Sequence, residues 1–117
     1  IGIDSYNMSF YAPHNAEPWV LQFLGDFKNV LLLKSDSIEA AKMLHCSIDL
    51  LHIDSNHTYE AVSADFAAWE PKVRKGGCVM FHDTISCPND IGRFFVELKG
   101  NRVNFPDHHG LGFWFKE

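Results

Sequence analysis

Two apolar runs of strand length set the pattern of the chain. Ile48-Asp49-Leu50-Leu51-His52-Ile53-Asp54 and Gly76-Gly77-Cys78-Val79-Met80-Phe81-His82-Asp83 each end in an acid close to a histidine. Roughly 20 helix-forming residues separate them, the spacing of a βαβ crossover. In a parallel sheet both acids emerge at one edge, outside the carboxyl ends of the strands, where open α/β sheets bind ligands.

The other elements follow from the same patterning. Ile1 to Asp4 is a short apolar run ending in an acid, and Ser5 to Pro13, with Tyr6, Met8, Phe10 and Tyr11, is an aromatic connection that could face a substrate. Asn15 can cap a helix with Glu17 and Pro18 in its first turn, Trp19, Val20, Phe23 and Leu24 on one face, and Gly25 as its stop. Asn29 to Lys34 reads as a buried strand by its unbroken apolar run. Ser35-Asp36-Ser37 then caps a helix with Glu39 in capping-box register and Ile38, Ala41 and Leu44 as its inner stripe.

After the Ile48 to Asp54 strand, Asn56 or Thr58 caps a helix whose core face is Val62, Phe66 and Trp69. Pro71 ends or bends it, and Lys75-Gly76-Gly77 predicts a turn into a strand over Cys78 to Phe81. Pro88 to Leu98 predicts a helix with Ile91, Phe94, Phe95 and Leu98 inward and Gly100 at its stop. Arg102 to Phe105, the turn Pro106-Asp107-His108-His109-Gly110, and Leu111 to Phe115 predict a terminal hairpin. The resulting order β, α, β, α, β, α, β, α, β, β implies an α/β fold: a mainly parallel sheet with helices on both faces and an antiparallel edge hairpin at the C-terminus.

With 117 residues and 46% hydrophobic content, residues 1–117 fit one domain with one core. The formal net charge of −5, with no basic cluster longer than the broken Lys72-Val73-Arg74-Lys75, argues against nucleic acid or an anionic membrane as the main partner. A small molecule that is uncharged, cationic or neutralised by a metal fits better, and nothing in the pattern opposes a homo-oligomer. Three cysteines without C-x-x-C spacing suggest neither a disulfide framework nor a zinc knuckle, so a reducing cytoplasm is the default. No apolar run approaches the roughly 18 residues of a membrane span, and the start does not resemble a signal peptide. Ile1-Gly2-Ile3-Asp4 opens without methionine, like a strand already under way, which suggests that sequence precedes it.

Asp54, His82 and Asp83 are the leading candidate group, because oxygen and imidazole donors from adjacent strand ends suit a divalent cation. The plainer alternative is that both acids cap the following helices while His82 bonds within a loop. His57, three residues after Asp54, is a candidate general base: imidazole titrates near neutrality, and a helix N-terminus favours its neutral form. His52, inside the strand, reads as a core histidine. His108 and His109 sit in a terminal turn that this topology returns to the ligand edge, whereas His14 and His45 carry no signal. There is no nucleophile elbow, no Gly-x-x-x-x-Gly-Lys phosphate loop and no Gly-x-Gly-x-x-Gly.

Taken together, Asp49-Leu50-Leu51-His52-Ile53-Asp54-Ser55-Asn56-His57-Thr58-Tyr59-Glu60-Ala61-Val62, then Asp65, Trp69 and Gly76-Gly77-Cys78-Val79-Met80-Phe81-His82-Asp83-Thr84, resemble the second half of class I S-adenosylmethionine-dependent methyltransferases. The nearest likeness is to the small-molecule O-methyltransferases of the methyltransferase-24 type. Gly2-Ile3-Asp4 resembles that Rossmann-like fold's second strand, and Val30 to Asp36 its third strand and loop.

The resemblance implies a cofactor, S-adenosylmethionine, and roles for particular residues. Asp4 would bind the cofactor's ribose hydroxyls, Asp36 would lie beside the adenine, and Asp54 would border the cofactor. In the cation-dependent relatives of the catechol and caffeoyl-CoA type, the metal-ligand positions fall on Asp54, His82 and Asp83, and the base falls on His57. A metal would orient and acidify a substrate hydroxyl, a base would take its proton, and the oxygen would attack the sulfonium methyl in line.

Two departures stand out. The family's first strand and glycine-rich loop are not within these 117 residues, and that strand lies between the second and fourth, so each of those would be left with an open edge. His82 replaces a carboxylate, which makes manganese, iron or zinc conceivable beside magnesium. The expected activity is methyl transfer to a small-molecule hydroxyl, with room for metal assistance. The alternatives are a non-catalytic methyltransferase-fold module for binding or assembly, and a metal-dependent hydrolase or oxygenase-like enzyme.

Overall fold

The computed structural model describes residues 1–6 and 17–117. Asn15 as a helix cap, the loop residues Met8, Phe10 and Tyr11, and His14 lie outside the described residues. Two compact units divide the chain, Ile1–Leu44 and His45–Glu117.

In the first unit, β1 (Gly2–Asp4) pairs in parallel with β2 (Leu32–Lys34), placing Asp4 opposite Lys34. The strand expected over residues 29–34 is shorter than its apolar run. Turns consume the approach to it, with the Phe27 amide bonded to the Leu24 carbonyl and the Val30 amide to the Phe27 carbonyl. Between the strands lies α1 (Glu17–Leu24), whose Glu17 meets the ammonium of Lys34 at 2.5 Å. Its apolar stripe forms as expected, but no residue of α1 is buried. Trp19 and Phe23 stack on each other along its outer side, because two three-residue strands offer little surface to cover them.

The helix α2 (Ser37–Met43) starts at Asp36, whose Oδ1 accepts from the amides of Ile38 at 2.9 Å and Glu39 at 3.2 Å. Ala40 and Ala41 are its buried residues, and the Glu39 carboxylate pairs with Lys42 at 2.6 Å.

The second unit carries a four-stranded sheet in the order β3-β4-β6-β5. Strands β3 (Ile48–Ile53) and β4 (Val73–His82) run parallel, with Leu50 to Ile53 opposite Cys78 to Phe81. The crossover between them is α3 (Tyr59–Trp69) followed by a 3-10 turn over Glu70–Lys72, in which Pro71 ends the helix as expected. Thr58 is the N-cap of α3: its hydroxyl accepts from the Ala61 amide at 3.2 Å.

The Lys75-Gly76-Gly77 turn is not a turn. It is an irregular stretch inside β4, stapled by the Gly76 amide to the Lys116 carbonyl at 2.8 Å and the Lys116 amide to the Gly77 carbonyl at 3.0 Å. Gly76 sits at φ +73°, and a Cβ on Gly77 would come within 2.7 Å of Val73 Cγ1, so both glycines serve the strand's own geometry.

The helix expected over residues 88–98 splits into a π-helical turn (Pro88–Gly92) and α4 (Arg93–Glu97). Beyond it, β5 (Asn101–Phe105) and β6 (Leu111–Phe115) form the expected antiparallel hairpin, with β6 laid antiparallel against β4. The class is α/β, with its parallel pairs at β1/β2 and β3/β4 and its antiparallel edge at the C-terminus. β3 is an edge strand of the four-stranded sheet, and β1 is one of the two strands of the other, so each has one side unpaired among the described residues.

Strand alternation sends Val79 and Phe81 of β4 and Ile53 of β3 to one face, where α3, the π-helical turn and α4 bury them under Val62, Ile91, and Phe94 with Phe95. The Phe81 ring lies 5.8 to 5.9 Å from the rings of Phe66, Phe94 and Phe95. His52 is exposed rather than in the core, because period-two alternation turns it away from Ile53. Its ring meets His82 edge-on at 6.4 Å.

Candidate functional site

Parallel pairing of β3 and β4 in register brings the ends of both strands to one edge. Asp54 follows β3, Asp83 follows β4, and His57 precedes α3 by two residues. His82 is the last residue of β4, held opposite Leu111 of β6.

The side chains converge there. His57 Nε2 lies 3.0 Å from Asp83 Oδ2 and 3.6 Å from Asp54 Oδ1. His82 Nδ1 lies 2.9 Å from the same Asp83 Oδ2 and 3.6 Å from the same Asp54 Oδ1. Asp54, His57 and Asp83 each offer one donor atom within 4.8 Å of the others.

Asp83 is the fixed point of this cluster. Its side chain is 9% exposed, against 44% for Asp54, and its backbone takes φ +63°, a left-handed conformation that a non-glycine residue adopts only where its surroundings enforce it. The Ser86 hydroxyl donates to Oδ1, leaving Oδ2 to the two imidazoles.

The terminal hairpin holds that arrangement from outside. The His109 carbonyl accepts from the Ile85 amide at 2.9 Å and the Ser86 amide at 3.0 Å, and Thr84 donates its hydroxyl to Asn104 of β5 at 2.8 Å. Thus the turn does return to the ligand edge, and it brings His109 with Nδ1 3.7 Å from Asp83 Oδ1 and its ring 5.9 Å from that of His82.

Charge and burial act on these groups in opposite directions. The hydrogen bond to Asp83 is the main influence on His82. With the charges of Asp54 and Asp83 it outweighs burial and raises the imidazole above its ordinary 6.5. Burial is the largest single influence on Asp83 and would push its carboxyl up. The Ser86 hydroxyl, His82 and His57 together prevail and hold it below its ordinary 3.8.

Of the expected site residues, the fold therefore gathers Asp54, His57, His82 and Asp83. Asp4 and Asp36 belong to the first unit. Asp4 Oδ1 accepts from the Tyr6 amide at 2.7 Å at the end of β1, and Asp36 caps α2. The Asp4 carbonyl accepts from the Ser35 amide at 3.0 Å, so Asp4 at the end of β1 and Asp36, two residues past β2, follow neighbouring parallel strands at the same end of that sheet.

Sequence reasoning missed two supports. One is Ser86, detectable as a hydroxyl three residues after Asp83, the reach of a local side-chain bond. The other is Asp65, buried in α3, whose carboxylate accepts from Ser55 and so anchors the loop carrying Asp54 and His57. No helix among the described residues is long and apolar enough to cross a membrane.

Comparison with known proteins agrees with this architecture. The protein uncharacterized y4gI of Sinorhizobium fredii is 46% identical over 77 residues, covering 61% of this chain and 8% of that protein. A candidate caffeoyl-CoA O-methyltransferase from Staphylococcus aureus shares the fold with a TM-score of 0.68 at 12% identity, over 86% of this chain and 57% of that one. The SAH-bound Podospora anserina methyltransferase PaMTH1 does so with a TM-score of 0.67 at 12% identity, over 87% of this chain and 56% of that one. The chain thus spans little more than half the length of these solved structures and under a tenth of the curated relative. A family described as a methyltransferase domain matches residues 2–84, which include both strand-end motifs, and the chain belongs to that family.

Proposed function

We propose that the protein containing this chain transfers the methyl group of S-adenosylmethionine to a hydroxyl of a small molecule. One observation carries the reading: in a chain of the methyltransferase-domain family, Asp54, His57, His82 and Asp83 converge at the carboxyl edge of β3 and β4, where such sheets bind ligands.

The roles are those that the family likeness implies for these residues. Asp4, the last residue of β1, holds the cofactor's ribose hydroxyls, Asp36 lies on the adenine side, and Asp54 borders the cofactor. His57 is the base. Its Nε2 faces the two acids, so Nδ1 is the nitrogen left to take a proton. The acceptor oxygen forms a bond to the methyl carbon as the carbon–sulfur bond breaks. Sulfur keeps that electron pair, S-adenosylhomocysteine leaves, and the hydroxyl proton passes to His57. Asp54 and Asp83 stabilise the imidazolium that results. The acceptor is a small molecule rather than nucleic acid or a membrane surface, in keeping with the net charge of −5. The three free thiols, Cys46, Cys78 and Cys87, suit a reducing cytoplasm.

A second, metal-assisted reading is favoured by His82 Nδ1 standing 2.9 Å from Asp83 Oδ2 and 3.6 Å from Asp54 Oδ1. Asp54, His82 and Asp83 would hold a divalent ion, which supplies Lewis-acid polarisation of the acceptor oxygen.

Calorimetry with S-adenosylhomocysteine on the full-length protein tests the transfer reading. Binding is expected, weakened at least tenfold by Asp4→Ala. A full-length protein that binds no S-adenosylhomocysteine overturns it.

A further inference from the structure

We propose that β5 is a self-pairing edge. Two copies of this chain meet there about a two-fold axis through Val103, which joins their four-stranded sheets antiparallel into one. The pairing holds or fails independently of methyl transfer.

The strand β5 ends the four-stranded sheet on the side away from β3. Among the described residues it pairs with β6 alone, and residues 99–109 are all exposed. An open edge offers unpaired main-chain donors and acceptors to another strand, and proteins blunt such edges with bulges, lysines or prolines inside the strand. β5 has none of these. Its register with β6 runs unbroken over all five residues, and its one charged side chain, Arg102, donates back to the Leu98 carbonyl. The edge carries apolar surface as well. Register with β6 and β4 puts Arg102 and Asn104 on the face that α3 and α4 cover, and Asn101, Val103 and Phe105 on the other. There Val103 and Phe105 are 46% and 54% exposed, and the Phe105 ring meets that of Phe113 edge-on at 5.6 Å.

The order of residues along this edge fits a second copy of itself. Opposed residues of an antiparallel pair share a face, so the two-fold axis passes through a residue rather than between two. An axis through Arg102 sets two guanidinium groups against each other, and one through Asn104 leaves Asn101 and Arg102 without strand partners. An axis through Val103 pairs all of β5: Val103 with Val103, Arg102 with Asn104, and Asn101 with Phe105. Just outside the strand the same symmetry sets Lys99 opposite Asp107 of the other copy, at both ends of the seam. Both are exposed, and neither has an ion-pair partner among the described residues. The two Arg102 side chains start about 8 Å apart, two residues along and one strand across, roughly a Debye length at physiological salt. A net charge of −5 opposes indiscriminate self-association, so this local complementarity selects the seam. The symmetry uses up the β5 edge of each copy, which stops assembly there at two. Two strands of this length make a small interface, so the dimer is reversible.

The test is sedimentation equilibrium of the full-length protein from micromolar to submillimolar concentration. A reversible monomer–dimer equilibrium is expected. Lys99→Asp alone and Asp107→Lys alone each set like charges at both ends of the seam and weaken it by about tenfold. The double variant restores it, as does an equimolar mixture of the two single variants, and circular dichroism checks that each is folded. A thiol reads the register. Val103→Cys places two sulfurs across the axis within disulfide reach, whereas Asn101→Cys stands about 14 Å from its copy. Mild oxidation should therefore cross-link the first variant and not the second, with the parent and its Cys46, Cys78 and Cys87 as background. A parent that stays monomeric throughout the range overturns the pairing. So does a dimer that neither charge reversal weakens, or one that Val103→Cys fails to cross-link above background.

Discussion

The main-chain amide of Tyr59 donates to Oδ1 of Asp90 at 3.0 Å, so the first turn of α3 is closed by a carboxylate from the π-helical turn 31 residues further on. Helix starts leave their first amides without partners, and an acid there also meets the positive end of the helix dipole. Thr58 serves the Ala61 amide and Asp90 serves Tyr59, so two of the orphan donors next to His57 are satisfied from different parts of the chain. Asp90→Ala is expected to lower stability by about 1 kcal/mol, the usual worth of a lost cap, read as a lower midpoint in urea unfolding with an unchanged slope. An unchanged midpoint would show that water replaces the carboxylate without cost.

Gly110 closes the hairpin turn against the loop carrying Asp83. It sits at φ +85°, and a Cβ there would approach Thr84 Oγ1 to 2.5 Å and the Ile85 amide nitrogen to 2.6 Å. Gly110→Ala must therefore adopt an unfavourable backbone and push the turn off the loop, at a cost of roughly 1 to 3 kcal/mol. The displacement is also expected to reach the site. In two-dimensional NMR spectra the amides of Ile85 and Ser86, which donate to the neighbouring His109 carbonyl, should shift more than those of α3. A variant as stable as the parent with those amides unmoved would deny the turn its clamping part.

Particular residues mark what the sequence could and could not reveal. Ile53, Phe81, Asp54 and Asp83 were legible because strand periodicity and a terminal acid are local signals, and one parallel pairing then fixes a shared edge. The Thr58 cap and the Val62, Phe66, Trp69 stripe were legible for the same reason. Gly76 and Gly77 misled, because local turn chemistry competes with a pairing to Lys116 that lies 39 to 40 positions away and leaves no local mark. Within residues 88–98 the apolar spacing suits an α-helix, and nothing local signals the π-helical turn that brings Asp90 to Tyr59. The apolar stripe of α1 was correctly read as helical, but burial depends on what stands opposite, and its stripe stays open. Ser86 and Asp65 escaped because a supporting hydrogen bond has meaning only once its partner's position is known.

Stability of the metal-free protein should depend on pH through the His82–Asp83 pair. The His82 imidazole is raised above 6.5 by its bond to Asp83 and the nearby acids, so its contribution is whole below that ordinary value and is lost as pH rises through the raised one. Asp83 is held below 3.8 by Ser86, His82 and His57 against the opposing effect of burial. Its contribution is whole above 3.8 and is lost as pH falls through the lowered value. The pair's full contribution therefore occupies the interval between the two ordinary values. Thermal unfolding in the presence of chelator should trace a plateau there, with a decline on the alkaline side that follows His82. Asp83→Asn removes the acid that raises His82 most and should flatten that alkaline decline, whereas His108→Gln, in the turn but outside the cluster, should leave it in place. An alkaline limb identical in Asp83→Asn and the parent would assign the pH dependence to other groups.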